Sequence, residues 1–101
     1  MCNVTHYICM VKSIRHKWLR AFYEEGNGSG LRREQLEKIS RLLTELDAIS
    51  SVLDILALGR GIHPLKGQYD GYWSIKVSAN YRLIFRWVPP DVYDVDYVDY
   101  H

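Results

Sequence analysis

The sequence predicts an α+β fold in which N-terminal helices cover one face of a small antiparallel sheet. Three observations carry this. The 48% hydrophobic and 25% charged composition is that of a globular chain, and 101 residues close one modest core. Apolar residues recur at helical spacing in the first half and alternate with polar ones in the second. Glycine and proline clusters fall where the period changes.

Residues 1–9 carry both cysteines, Cys2 and Cys9, and no clear period. With no partners elsewhere these thiols neither staple a core nor form a conventional zinc site. The segment reads as an extension, a flap, or a stretch preceding a start at Met10. Val11 and Ile14, flanked by charge, suggest a first edge strand. From His16, the spacing of Trp18, Leu19, Phe22 and Tyr23 predicts a short helix that ends at Gly26-Asn27-Gly28-Ser29-Gly30. That loop lacks the lysine and the following Ser/Thr of a phosphate-cradling P-loop, so it reads as a linker.

Residues 32–50 place Leu36, Ile39, Leu42, Leu43, Leu46 and Ile49 on one stripe, a helix of about five turns. Glu34 to Lys38 and Glu37 to Arg41 stand in the favourable i to i+4 order on its solvated face. Residues 51–58 suggest one further turn before Gly59-Arg60-Gly61. Residues 72–77 and 81–88 then alternate around a Ser78-Ala79-Asn80 turn. Pro89-Pro90-Asp91 forces another turn, since neither proline can donate to a ladder. Residues 92–101 alternate apolar and acidic to the end of the chain.

Alternation assigns Trp73, Ile75, Val77, Leu83, Phe85, Val95 and Tyr97 to the helix-facing side. It assigns Lys76, Arg82, Asp94, Asp96 and Tyr100 to the open face, along with Ser74, Ile84 and Arg86. Two readings of that face stand. In one, Lys76 and Arg82 neutralise Asp94 and Asp96 across the strands, at roughly 0.2–1 kcal/mol per pair. In the other, the cations and the phenol form an anion-binding groove.

The net charge of +1 is too small to indicate nucleic-acid binding by composition. Residues 1–66 hold ten Lys/Arg and seven Asp/Glu, and residues 67–101 three and five. Lys12, Arg15, Lys17 and Arg20 are a local basic face or an ordinary solvated helix surface. No apolar run is long enough to span a membrane, which makes the cytoplasm the default location. In Ile62-His63-Pro64-Leu65-Lys66-Gly67, Pro64 and Gly67 permit the bend that lets His63 and Lys66 share a site. A neutral-range titrating group beside a fixed cation suits acid-base work at a phosphate.

The ordered series His63-Pro64-Leu65-Lys66-Gly67, Gly71-Tyr72-Trp73-Ser74-Ile75, Asn80-Tyr81-Arg82, then Asp94-Val95 and Asp99-Tyr100-His101, resembles the HigB-type toxins of the RelE/ParE superfamily. Met10-Val11-Lys12-Ser13-Ile14-Arg15-His16-Lys17 looks like the usual beginning of such a toxin. The resemblance covers residues 10–101 as a single domain and leaves 1–9 as an unmatched extension. It implies a RelE-like fold with its active site on the open sheet face. It also implies a type II toxin that cuts messenger RNA, typically on the ribosome. A helix-turn-helix antitoxin, HigA, would neutralise it, and DNA would be met only through that antitoxin.

Carried over residue by residue, the resemblance gives His63, Arg82, Asp99, Tyr100 and His101 as the catalytic set and Lys66 and Lys76 as RNA-binding. Some members carry a second arginine where this chain has Ser78, so phosphate neutralisation falls on Arg82, Lys66 and Lys76. No metal cluster or cofactor is expected, because an RNA 2′-hydroxyl can attack its own phosphate with side-chain acids and bases alone. Two alternatives share the fold. A ParE-like inhibitor of DNA gyrase would need no proton-transfer set such as His63, Tyr100 and His101, and an inactive antitoxin-binding homologue is kept open by Ser78.

Overall fold

A computed structural model describes residues 10–59 and 61–99. The predicted order of helices then strands is observed. Helix α1 (Lys17–Glu25) and helix α2 (Leu36–Leu46, entered through a 3-10 turn at Arg33–Gln35) are followed by a short α3 (Val52–Leu56). The strands are β1 (His63–Pro64), β2 (Tyr72–Lys76), β3 (Tyr81–Val88) and β4 (Asp91–Asp99). They form one antiparallel meander in the order β1-β2-β3-β4.

Both ends of α1 are satisfied locally. His16 Nδ1 accepts from the Leu19 N–H at 3.2 Å, and Gly26, at φ 75°, donates back to the Ala21 and Phe22 carbonyls. The second helix is shorter than its 32–50 stripe predicts. It stops at Leu46, and the chain tightens into i to i−3 bonds from Ala48 to Glu45 and from Ile49 to Leu46. Asp47 marks the stop: its carboxylate accepts from the Val11 N–H at 3.1 Å and from the Tyr23 hydroxyl at 2.8 and 2.9 Å. Ile49 still reaches the core, 1% exposed, from outside the helix.

The two predicted i to i+4 ion pairs are replaced. Glu34 lies in the 3-10 turn, where that spacing does not align, and it meets Arg32 at 3.0 Å. Arg41 pairs forward to Glu45 at 3.9 Å.

The core joins Leu19, Ile39, Leu42, Leu43, Leu46 and Ile55 to Ile75, Val77, Leu83, Phe85, Val92 and Val95, with Trp73 and Tyr97 packed against it. The helix-facing set that alternation assigns is therefore the observed one. Ile84 departs from its open-face assignment in burial: it is only 7% exposed, yet it lies outside that core cluster. Ser74, also assigned outward, is fully buried, and its Oγ has no hydrogen-bond partner among the described residues.

Strand β4 corrects strict alternation. Ile84 pairs with Asp96 and Arg86 with Tyr93, so Asp94 and Val95 share the space opposite Phe85. This is a β-bulge, with Asp94 at φ 54°, a conformation that Asp tolerates better than most residues. Its effect is to turn both Val92 and Val95, three residues apart, into the core. Val11 and Ile14, also three apart, match them. They bridge in parallel to Val92 and Val95, through Lys12 N to Val92 O at 2.7 Å and Arg15 N to Val95 O at 2.8 Å. The predicted first edge strand is thus a pair of bridges, and it covers the outer side of β4. Among the described residues no helix is long and apolar enough to cross a membrane.

Candidate active site on the open sheet face

Directly paired residues of an antiparallel sheet project from the same face, so the register fixes which side chains meet. The open face carries three rows. The middle row runs His63, Ser74, Ile84, Asp96 across all four strands. One step of about 7 Å along the strands on the hairpin side lies the row Lys76, Arg82, Val98. One step the other way lies the row Tyr72, Arg86, Tyr93.

The fold therefore brings Lys76 and Arg82 into direct apposition, two cations side by side where like charges repel unless an anion bridges them. His63 is exposed and sits diagonally one row away, with Nδ1 3.3 Å from the Pro64 carbonyl oxygen. Pro64 is accommodated because β1 is an edge strand. The Arg82 guanidinium is drawn toward the β2–β3 turn: Nη1 donates to the carbonyls of Ser78 at 2.9 Å, Tyr81 at 3.2 Å and Ala79 at 3.4 Å.

Lys66 is placed elsewhere. The Leu65 N–H donates to the Tyr72 carbonyl at 2.8 Å, so Lys66 leaves β1 level with the Tyr72 row, at the far side of His63 from Arg82. The expected bend follows it, a 3-10 turn at Gly67–Tyr69 with Gly67 at φ 67°. Asp99 pairs with Tyr81 and so alternates with the Arg82–Val98 pair instead of joining it. Tyr100 and His101 lie outside the described residues.

Asp94 is not neutralised by Lys76 or Arg82, as the first reading of the face had it. Asp94 takes Arg86, Nε to Oδ2 at 3.2 Å, rather than Arg82 or Lys76. It also accepts from the Tyr72 hydroxyl at 3.3 Å and from Ser13 Oγ at 3.3 Å, while its own N–H donates to Ser13 Oγ at 2.8 Å. The reason is the bulge, which rotates Asp94 out of register. Asp96 Oδ1 accepts from the Tyr97 N–H at 2.9 Å. Arg86 and Asp94 were both legible as open-face residues, but their pairing was not, because alternation gives a face and not the register that the bulge sets.

Ser78 has a structural use. Its hydroxyl accepts from Gln35 Nε2 at 2.9 Å, and Gln35 Oε1 accepts from the Tyr97 hydroxyl. This chain ties the hairpin to the start of α2 beside a cleft of about 560 Å³ lined in part by Arg32, Lys38, Asn80 and Tyr81. The Arg32 guanidinium lies 5.5 Å from the Tyr81 ring centroid, and Tyr81 stacks on Tyr97 at 5.1 Å.

Burial, reinforced by the neighbouring Tyr81, pushes the Tyr97 phenol up to about 12. Burial and then the Asp47 carboxylate push Tyr23 above the ordinary tyrosine range. The folded state holds both protons more tightly than the unfolded chain, whose phenols titrate near pH 10. The resulting stability is fully present below about pH 10 and is lost as pH climbs through the raised folded values. Urea midpoints for the parent should therefore fall between pH 10 and 12 more steeply than those of Tyr97→Phe. Parallel declines for the two proteins would reject the coupling.

A family described as RelE-like toxin of type II toxin-antitoxin system HigB matches residues 12–101. The chain is 37% identical over 92 residues to Endoribonuclease HigB of Proteus vulgaris, covering 91% of this chain and 100% of that protein. It is 36% identical over 81 residues to Toxin HigB-1 of Vibrio cholerae serotype O1, covering 78% and 85%. A YoeB/ParE toxin structure from Agrobacterium tumefaciens aligns at TM-score 0.46 with 20% identity, over 83% of this chain and 85% of that one. With the family matched over nearly its whole length, the chain belongs to the HigB family of RelE-like toxins of type II toxin-antitoxin systems.

Proposed function

We propose that the chain is a metal-independent endoribonuclease that cuts messenger RNA presented by the ribosome, and that a HigA-type helix-turn-helix antitoxin neutralises it. The observation that carries this reading is the exposed His63 imidazole one row from the apposed Lys76 and Arg82, on the sheet face away from the helices. The relative named as an endoribonuclease supports it. Residues 10–101 form the toxin domain in this reading, supported by the family match from residue 12. Its site of action is the cytoplasm, where mRNA meets ribosomes.

The 2′-hydroxyl attacks the adjacent phosphorus, a P–O2′ bond forms and the P–O5′ bond breaks. One histidine, His63 or His101, takes the 2′-proton, and the other delivers a proton to the departing 5′-oxygen. Arg82 and Lys76 hold the phosphate and offset the charge that grows on it, while Lys66, on the other side of His63, contacts the RNA there. Tyr100 orients or stacks on a nucleotide, and Asp99 positions a histidine. The products are a 2′,3′-cyclic phosphate and a 5′-hydroxyl.

A net charge of +1 gives little phosphate affinity at a distance. A ribosome that delivers the substrate removes that need, and the exposed Lys12, Arg15, Lys17 and Arg20 suit contact with ribosomal RNA. The test is induction of the chain in a bacterial host, with mapping of mRNA 5′ ends and chemical analysis of the 3′ ends. New ends carrying cyclic phosphate are expected. Growth arrest without new ends would remove the nuclease reading, and equal cleavage of naked transcript would remove the ribosome from it.

A further inference from the structure

The row on the far side of His63 from Arg82 has the make-up of a single-strand platform. Tyr72, Arg86 and Tyr93 stand on three adjacent strands, about 5 Å apart. The Arg86 guanidinium lies over the Tyr93 ring at 5.1 Å, and Tyr69 meets Tyr72 edge to face at 5.6 Å. Tyr69 is 40% exposed and Lys66 is exposed beside the row. Among the described residues Asp94 engages Arg86 through Nε alone, and it also accepts from the Tyr72 hydroxyl. Both side chains are thereby held before any ligand arrives, with the terminal guanidinium nitrogens left for a phosphate oxygen.

Aromatic rings interleaved with a planar cation are what unpaired bases and their phosphates bind, the rings by stacking and the cation by charge. A protein ligand would instead call for an apolar hollow, and this row offers charge and flat rings. One same-face step of about 7 Å separates it from His63. That is within reach of the nucleotide next to the one being cut.

Resting on the endoribonuclease reading, we propose that Tyr72, Arg86 and Tyr93 form a second nucleotide subsite that stacks and anchors the mRNA nucleotide flanking the scissile phosphate, on the side opposite Arg82. Asp94 is its positioning residue. The subsite takes any base, since stacking reads the face of a ring and not its edge, and it acts on substrate binding more than on the chemical step.

Multiple-turnover cleavage of a short mRNA on programmed ribosomes, with KM and kcat separated, tests the subsite. Tyr93→Leu and Arg86→Gln should each raise KM about tenfold, the scale of one stacking contact, with kcat within about threefold of the parent. Tyr93→Phe should keep the parent KM, because it keeps the ring. Thermal melting identifies any variant that does not fold; if Tyr93→Leu does not, Arg86→Gln carries the test. A parent that cleaves while both variants keep its KM overturns the subsite and leaves the nuclease reading standing. A parent that cleaves no RNA overturns the nuclease reading, and the subsite falls with it.

Discussion

Replacing His63 by glutamine should lower mRNA cleavage by roughly 10²- to 10⁴-fold, the range that one positioned acid or base contributes. The structure explains why that loss should come without a loss of fold. His63 lies on a two-residue edge strand, its ring is exposed, and its Nδ1 approaches the neighbouring Pro64 carbonyl oxygen at 3.3 Å. Surface changes of this kind usually move stability by no more than about 0.5 kcal/mol. Cleavage should be followed by primer extension on programmed ribosomes and stability by urea denaturation of the same preparation. A His63→Gln protein that melts like the parent and still cleaves within tenfold of it would take the imidazole out of the chemistry.

Phe85→Ala should do the opposite. Phe85 is fully buried at the centre of β3, on the helix-facing side, directly opposite Trp73 and facing the bulge of β4. Removing a buried phenylalanine ring costs about 3–5 kcal/mol in lost transfer energy and residual cavity. Domains of this size hold about 5–15 kcal/mol in total. The melting temperature should therefore fall by about 15 °C or more. Phe85→Leu, closer in volume, should cost less than about 1.5 kcal/mol. A Phe85→Ala protein that melts within 5 °C of the parent would show that the ring does not hold the sheet to the helices.

The two variants also separate the faces of one sheet. Leu83 and Phe85 point to the helices while Arg82 and Arg86 point away, and that division was readable in the sequence because the side-chain period of a strand is two. The same rule gave the helix-facing positions of β2 and most of those of β4. It lost its hold at Asp94, where an extra residue enters the strand and no local turn signal announces it. The clue was in the spacing: Val11 and Ile14 are three apart, and so are Val92 and Val95, a mismatch to period two that both partners share.

The length of α2 was overread for a comparable reason. Ile49 continues the apolar stripe and is buried, but the stripe records burial and not backbone form, and Asp47 is held by Val11 and Tyr23 from outside the helix. Of the candidate site, the residue types and the face were legible. Their arrangement was not. Lys66 and Arg82 are equally plausible phosphate ligands in sequence, and only the pairing of β1 with β2 places them at opposite ends of the face with His63 between.

The bulge has one more consequence. Because Asp94 is the supernumerary residue, a chain shortened by one at this point would still send Val92, Val95 and Tyr97 inward and Tyr93 and Asp96 outward. What such a deletion would remove is the carboxylate that grips Arg86, Tyr72 and Ser13. The inward order of β4 does not need that position, but the surface does, and so does the three-residue spacing that keeps Val92 and Val95 in step with Val11 and Ile14. A gap of one residue there would change both the outer face of a related toxin and the seam between β4 and the segment before its first helix.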